Sequence, residues 1–344
     1  MSFHEPTFIV FVEIVKQNIK QMLKKANESG VIFRPHFKTH QSIEIGNIFK
    51  DFGVSKITVS SLEMAVYFAN NGWSDITIAF PINLKNTEQI NTLAKRVNLN
   101  IIISSAESIN FLSRFKNINF FIEINTGYNR TGVLFNNFND IETSIKEINK
   151  NNNFIGFLNH SGNTYSAKNT DEIINIYNLT KEELQNLKNK FAEYNPIISV
   201  GDTPSCTIIE NFEEVDEILP GNFVYYDLMQ YNLSVCSEQQ LGAVLYAPII
   251  AKYPERNQMV IHAGAVHLSK EYITYNGKKC YGLISKVNKN GIKIIYGIYI
   301  SSLSQEHGIV TLANNKLDEF ELYETIAIIP VHSCLTANLM KHQQ

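Results

Sequence analysis

The sequence predicts an α/β protein: a (β/α)8 barrel of the TIM type with a second, C-terminal all-β domain. Three observations predict it. Between residues 31 and 220 a short β-branched or aromatic run recurs eight times, and longer stretches of helical periodicity separate the runs. After Gly221 the helical period gives way to strand-like runs broken by turn residues. Strands that alternate with helices form a parallel sheet, and eight of them are enough to close a barrel. An open doubly wound sheet is the structural alternative. No GxGxxG comes after the first run, which argues against the dinucleotide-binding version of that sheet.

In chain order the runs are VIFRPHF (31–37), KITVS (56–60), ITIAF (76–80), NIIIS (100–104), FFIEIN (120–125), FIGFLN (154–159), IISV (197–200) and EVDEIL (214–219). The intervening stretches carry helix signals. In SLEMAVYFANNG, Leu62, Ala65, Val66 and Ala69 share one face and Gly72 marks the C-terminal end. Beyond Gly221 come AVLYAPII, QMVIHAG, IIYGIYI and TIAIIP, with Asn-Gly turn signals at 276–277 and 290–291. The expected division is 8–238 for the barrel and 239–344, joined by 1–7, for the β-domain.

Composition narrows the function classes. The chain has 344 residues, 44% of them hydrophobic, and a formal net charge of −3 with both signs interspersed. It therefore lacks the basic footprint that nucleic acid or an anionic membrane would require, and small-molecule chemistry is the default. His4, Glu5 and Glu13 interrupt the first twenty residues, which fit neither a signal peptide nor a membrane span, so a cytoplasmic protein is expected. Cys206, Cys236, Cys280 and Cys334 are far apart and form no CxxC, as reduced thiols do.

In a barrel the active site lies at the carboxyl ends of the strands, so the residues just after each run are informative. The first run closes on RPHFKTH, where alternation puts Arg34, His36 and Lys38 on one side and Val31, Phe33 and Phe37 on the other. A lysine crowded by cations is easier to keep as the neutral amine that Schiff-base chemistry needs, although a solvated strand end is the plain alternative. The fifth run ends in EINTGYNRTGV, with Gly127 and Gly132 bracketing Arg130. The sixth ends in NHSGNTY, which offers His160 and Tyr165. The seventh ends in VGDTPSC, a turn with Thr203, Ser205 and Thr207 that suits an oxyanion or serves as an ordinary helix start capped by Thr203 or Ser205. A reactive lysine, a fixed arginine and an oxyanion loop together point to pyridoxal 5'-phosphate (PLP), with its aldehyde on Lys38 and its phosphate at the seventh loop.

RPHFKTH, EINTGYNRTGV, VGDTPSC, EILPGNFVYYDLMQ, SQEHG and PVHSCLTANL, in this order, resemble the family of D-threonine aldolases and eukaryotic-type D-serine dehydratases, within the alanine-racemase-like, fold-type III PLP enzymes. The resemblance runs from about residue 6 to 340. It implies Lys38 as the Schiff-base lysine with His36 beside the cofactor, Arg130 facing the pyridine ring, Gly201, Asp202 and Thr203 at the phosphate, and Tyr165 and Tyr226 near the cofactor. It also implies a homodimer in which one subunit's β-domain completes the other's site. Gln41 stands where a lysine is common, and Asn163 stands where a histidine often occurs; the second departure bears on the substrate side.

His332 and Cys334 in PVHSCLTANL are two residues apart, and an extended backbone would put both on one face, where they could share a metal ion. Imidazole and thiolate favour Zn2+ over Mn2+ or Mg2+. A buried cysteine beside a surface histidine is the alternative reading of the residues alone. The resemblance implies a zinc-binding pair of this kind in the dehydratases, whereas the aldolases carry an aspartate at the cysteine position. His307 in SQEHG is either a substrate-side or a structural histidine. The expected activity is a PLP- and zinc-dependent D-serine dehydratase that forms pyruvate and ammonia. A metal-dependent D-threonine aldolase is the nearest alternative. An amino-acid racemase would need a second base, for which Tyr246, Tyr253 and Tyr275 are available, and a non-enzymatic PLP carrier is the reading from a different class.

Overall fold

The computed structural model describes residues 3–288, 291–313 and 316–341. The chain forms two compact units, Lys20–Lys38 with Ser42–Gly221, and Met1–Ile19 with Thr39–Gln41 and Asn222–Gln344. Strand β1 (Thr7–Val10) belongs to the second. The first is a parallel barrel of β2 (Ile32–Phe33), β3 (Lys56–Val59), β4 (Asp75–Ile78), β5 (Asn98–Ile103), β6 (Asn119–Asn125), β8 (Asn153–Asn159), β9 (Ile197–Val200) and β10 (Glu217–Ile218), with the short β7 (Val133–Leu134) paired to β6. All eight expected runs contribute a strand.

Neighbours run β2-β10-β9-β8-β6-β5-β4-β3. The remaining seam, between β2 and β3, is closed by a parallel bridge of His36 with Thr58, where Phe37 N–H donates to the Thr58 carbonyl at 2.8 Å and Thr58 N–H to the Pro35 carbonyl at 2.9 Å. Inward-facing residues stack in layers, as the period of two requires. Toward the amino ends lies a polar layer in which Asn100 bonds to Thr77 and accepts from Asn119. Two residues further along the strands comes an apolar layer, built from Ile102, Phe121, Leu158 and Leu219.

Arg34 belongs to the polar layer, and this corrects the expected cation cluster. Its Nε donates to Glu217 at 2.6 Å and its guanidinium also pairs with Asp75. Asp75 and Glu217 open β4 and β10, so this side chain reaches toward the amino ends of the strands, away from the end where Lys38 comes after β2. Alternation along a strand gives the face of a side chain and leaves open which end of the barrel a long one reaches.

In the second unit β1, β11 (Ala243–Tyr253), β12 (Gln258–His262), β17 (His307–Leu312), β16 (Gly291–Leu303), β15 (Gly282–Asn288) and β18 (Thr325–Pro330) pair antiparallel, and β18 returns to β11 to close the sheet. A separate hairpin joins β13 (Ile273–Tyr275) to β14 (Lys278–Cys280) through Asn276 and Gly277, both at positive φ as a two-residue hairpin turn requires. The asparagine of the other turn signal, Asn290, lies outside the described residues. Among the described residues no helix is long and apolar enough to cross a membrane, and all four cysteines are buried free thiols.

Candidate functional site

The carboxyl ends of the barrel strands carry one group of candidate residues. Phe37 fixes Lys38 in place: its ring packs 5.0 Å from each of Phe49, Phe68 and Trp73, so the side chains before and after it point to the other face. His36 N–H donates to the Pro220 carbonyl at 2.8 Å, and Lys38 N–H donates to His36 Nδ1 at 3.3 Å. Arg130 sits on a loop folded around Asn125, whose side-chain carbonyl accepts from the N–H groups of Gly127 and Asn129. Gly127 and Gly132 both adopt positive φ, and a Cβ on Gly132 would lie 3.0 Å from backbone atoms of Glu123 and Asn125. The guanidinium rests over the Tyr128 ring at 5.0 Å.

The loops after β8 and β9 are tied to one another. Thr203 N–H donates to the Tyr165 hydroxyl at 3.2 Å, and Thr164 Oγ1 donates to Asp202 Oδ1 at 2.9 Å. Asp202 caps the helix Thr203–Ile208 by accepting from Ser205 N–H at 2.7 Å, so the cap is Asp202 where Thr203 or Ser205 was expected. Burial pushes the Asp202 carboxyl up to about 6, against the bonds from Ser205 and Thr164. Ser205 Oγ is buried next to the Asp202 carboxylate, whose charge it favours by a hydrogen bond.

His160, which the sequence offers without a role, is the hub of this group. Its Nδ1 faces the Gly201 carbonyl at 2.5 Å, and its ring lies 6.0 Å from Tyr128 and 6.4 Å from Tyr165. Burial first, then the positive charges of Lys38 and Arg130, hold its pKa down at about 3, so the ring is neutral and donates Nδ1–H to Gly201. Gly162, two residues on, admits the Tyr128 ring: a Cβ there would meet it at 2.3 Å. The signal in the sequence was the spacing of His160, Gly162 and Tyr165 after an apolar strand.

The second unit holds the other group. His332 is the N-cap of the last helix, Ser333–Met340, and Cys334 lies in its first turn. The extended two-residue spacing expected from sequence is thus replaced by a strand-to-helix turn, which still brings the two side chains into a hydrogen bond. Asp227 holds the turn, accepting from Ser333 N–H at 2.9 Å and from Asn222 Nδ2 at 2.6 Å. Around Cys334 Sγ stand Thr39 Oγ1 at 3.2 Å, Asn222 Nδ2 at 3.4 Å and the His332 ring. Burial raises the Cys334 thiol, but the hydrogen bond and charge of His332 outweigh it and the net shift is downward. His332 shifts up, because its bonds to Cys334 and Glu271 and the charge of Asp227 outweigh its own burial. Each partner thus moves the other, the thiol downward and the imidazole upward. Glu271 Oε2, 2.6 Å from His332 Nδ1, fixes the ring so that Nε2 is left for Cys334. Tyr226 is buried in this unit at φ 48, and His307 pairs with His262 in the β12–β17 ladder.

Residues 12–228 match the family described as "Alanine racemase, N-terminal domain", and residues 242–343 match "Putative serine dehydratase domain". The chain is 30% identical to the D-serine dehydratase of Dictyostelium discoideum, over 98% of this chain and 91% of that one. It is 23% identical to the D-threo-3-hydroxyaspartate dehydratase of Delftia sp., over 98% and 92%. The solved structure of that dehydratase superposes with a TM-score of 0.90, at 24% identity and over 97% and 92% of the two chains. D-threonine aldolase of Filomicrobium marinum superposes with a TM-score of 0.81 at 17% identity, over 97% and 89%. At these identities the superpositions establish the shared fold.

Proposed function

Because the chain belongs to the alanine-racemase-like family in which an alanine racemase N-terminal domain precedes a serine dehydratase domain, we propose that it is a PLP- and zinc-dependent D-amino-acid dehydratase that converts D-serine to pyruvate and ammonia. The observation that carries this reading is the buried Cys334 sulfur in hydrogen-bond contact with the His332 imidazole, a sulfur and nitrogen pair that suits zinc better than the harder ions. Both implied groups fit the residues present. The turn from Gly201 into the helix Thr203–Ile208, with the Gly201 backbone pressed against Leu219 so that a Cβ would not fit, offers backbone N–H groups and the buried Ser205 hydroxyl to a phosphate. Asn222 Nδ2 already donates toward Cys334 Sγ, and the Thr39 hydroxyl lies 3.2 Å from it, able to do the same for a metal-bound thiolate.

When bound, PLP supplies an electron sink for the pair left on Cα, and zinc supplies Lewis acidity at a β-hydroxyl leaving group. The chain does the rest. Lys38 Nζ would hold the cofactor through its aldehyde and, as a free amine, would accept the α-proton of the substrate. Arg130 would face the pyridine ring and, since a guanidinium keeps its own protons, would offer its nitrogen no proton. His160, neutral at physiological pH, adds no further charge beside Lys38 and Arg130. His36 and Tyr165 would contact the cofactor, with Gly201, Asp202 and Thr203 at the phosphate; the resemblance adds Tyr226.

Product analysis tests the reading. Incubated with D-serine, D-threonine and D-threo-3-hydroxyaspartate, the protein should release pyruvate from D-serine fastest and no glycine from D-threonine. Glycine with an aldehyde as the main product would make it an aldolase. Cofactor-loaded protein that turns over none of the three would be a carrier.

A further inference from the structure

At the end of β12 the chain turns through His262, Ala263, Gly264, Ala265, Val266 and His267, and a second turn at 304–306 is pressed onto it. Ala265 N–H donates to the Ser304 carbonyl at 2.8 Å and Val266 N–H to the Gln305 carbonyl at 3.2 Å. Two glycines make the approach possible. A Cβ on Gly264 would sit 2.1 Å from the Gln305 carbonyl oxygen, and one on Gly308 would sit 2.7 Å from the Ala263 carbonyl oxygen. The nested turns bring the Glu306 carboxylate to His262 and His267, and one ligand atom from each of the three lies within 4.8 Å of the others. His267 is buried, and its ring stands edge-on to that of His262 with centroids 5.7 Å apart. Glu5 Oε2 lies 3.3 Å from His262 Nδ1, while Nε2 faces Glu306 Oε2 at 4.0 Å. A carboxylate on one imidazole nitrogen leaves the lone pair of the other for a ligand.

We propose that His262, His267 and Glu306 form a second metal site, for a zinc-type divalent ion, with Glu5 holding the His262 ring. Two imidazoles and one carboxylate make a zinc donor set that leaves a coordination position open. One contact competes. Gly264 N–H donates to His267 Nδ1 at 3.1 Å, so the metal-free ring carries its proton on Nε2. Binding a metal through Nε2 moves that proton to Nδ1 and gives up the bond, which lowers affinity by about tenfold relative to a site without it. A hydrogen-bonded cluster with no metal affinity is the opposing possibility.

The proposal does not rest on the His332–Cys334 pair, and the experiment separates the two. A chain carrying His332→Ala and Cys334→Ser, equilibrated with zinc and freed of excess, should retain about one zinc per chain by elemental analysis. In that background His262→Gln and Glu306→Gln should each weaken zinc binding at least about tenfold in competition with a chromogenic chelator, and Glu5→Gln about tenfold. Glu306→Gln removes a ligand from a solvent-facing turn, so it guards against a fold lost through His262. Absence of bound zinc from the His332→Ala, Cys334→Ser chain would overturn the proposal. So would zinc affinity unchanged by both His262→Gln and Glu306→Gln in chains that unfold like the parent.

Discussion

Among single residues, Lys38 and His160 bear most directly on the chemistry. Purified protein should show the visible absorption of lysine-bound PLP, and Lys38→Ala should abolish it. Borohydride reduction and peptide mapping should then find the adduct on Lys38; an adduct on Lys56 or Lys270 would move the site elsewhere. His160 gives a stability prediction. Its pKa, near 6.5 in an unfolded chain, is held at about 3 in the fold by burial and by Lys38 and Arg130. Between those values the unfolded chain binds a proton that the folded chain refuses, so this contribution to stability is whole above about pH 6.5 and lost as pH falls toward 3. Asp202, raised to about 6, acts in the opposite sense over part of that window, so parent and variant must be compared. His160→Asn keeps an N–H for Gly201 and removes the titration. Its urea midpoint should fall less than the parent's between about pH 7 and pH 4.5, and equal falls would show that His160 already carries a proton in the fold. As a candidate, Lys38 was legible from the RPHFKTH motif and not from crowding by cations, because Arg34 turns away to Glu217 and Asp75. The neutrality of His160 was not, because it arises from burial under loops distant in sequence.

At the scale of elements, the eight strands were legible as β-branched runs, and the loops after them as polar clusters. What the runs concealed was their layering. EVDEIL reads as six strand residues, yet only Glu217 and Ile218 pair as a strand, and the Glu217 carboxylate is buried inside the barrel to meet Arg34 and Ser199. Arg34 with Glu217 and Asp75 is therefore a structural ion group. Arg34→Met should leave Glu217 as an uncompensated buried charge and cost about 3–5 kcal/mol in urea unfolding. A loss below about 1 kcal/mol would mean that the carboxylate finds water or a proton. The last helix shows the other limit of periodicity. A spacing of two between His332 and Cys334 suits a strand, but the chain turns at His332 and the pair meets across an N-cap, with Asp227 from a distant segment holding the turn. The donor types could be read from residue identity; their geometry is set by long-range hydrogen bonds.

At the scale of the whole molecule, a mildly acidic chain has a parallel barrel in one unit and an antiparallel β-domain in the other, and the proposed function assigns the cofactor to Lys38 and Arg130 of the first and the metal to His332 and Cys334 of the second. If the metal acts on the leaving group, its loss should remove turnover and spare the cofactor. The most direct measurement tracks pyruvate formation from D-serine in a single preparation before chelation, after it, and after zinc is restored, with the visible absorption recorded at each stage. Chelation should lower kcat at least about a hundredfold, about 3 kcal/mol of transition-state stabilisation. Zinc should restore it, and the absorption should persist throughout. Full activity in chelated protein, or loss of the cofactor absorption together with the metal, would contradict a zinc ion acting on the leaving group.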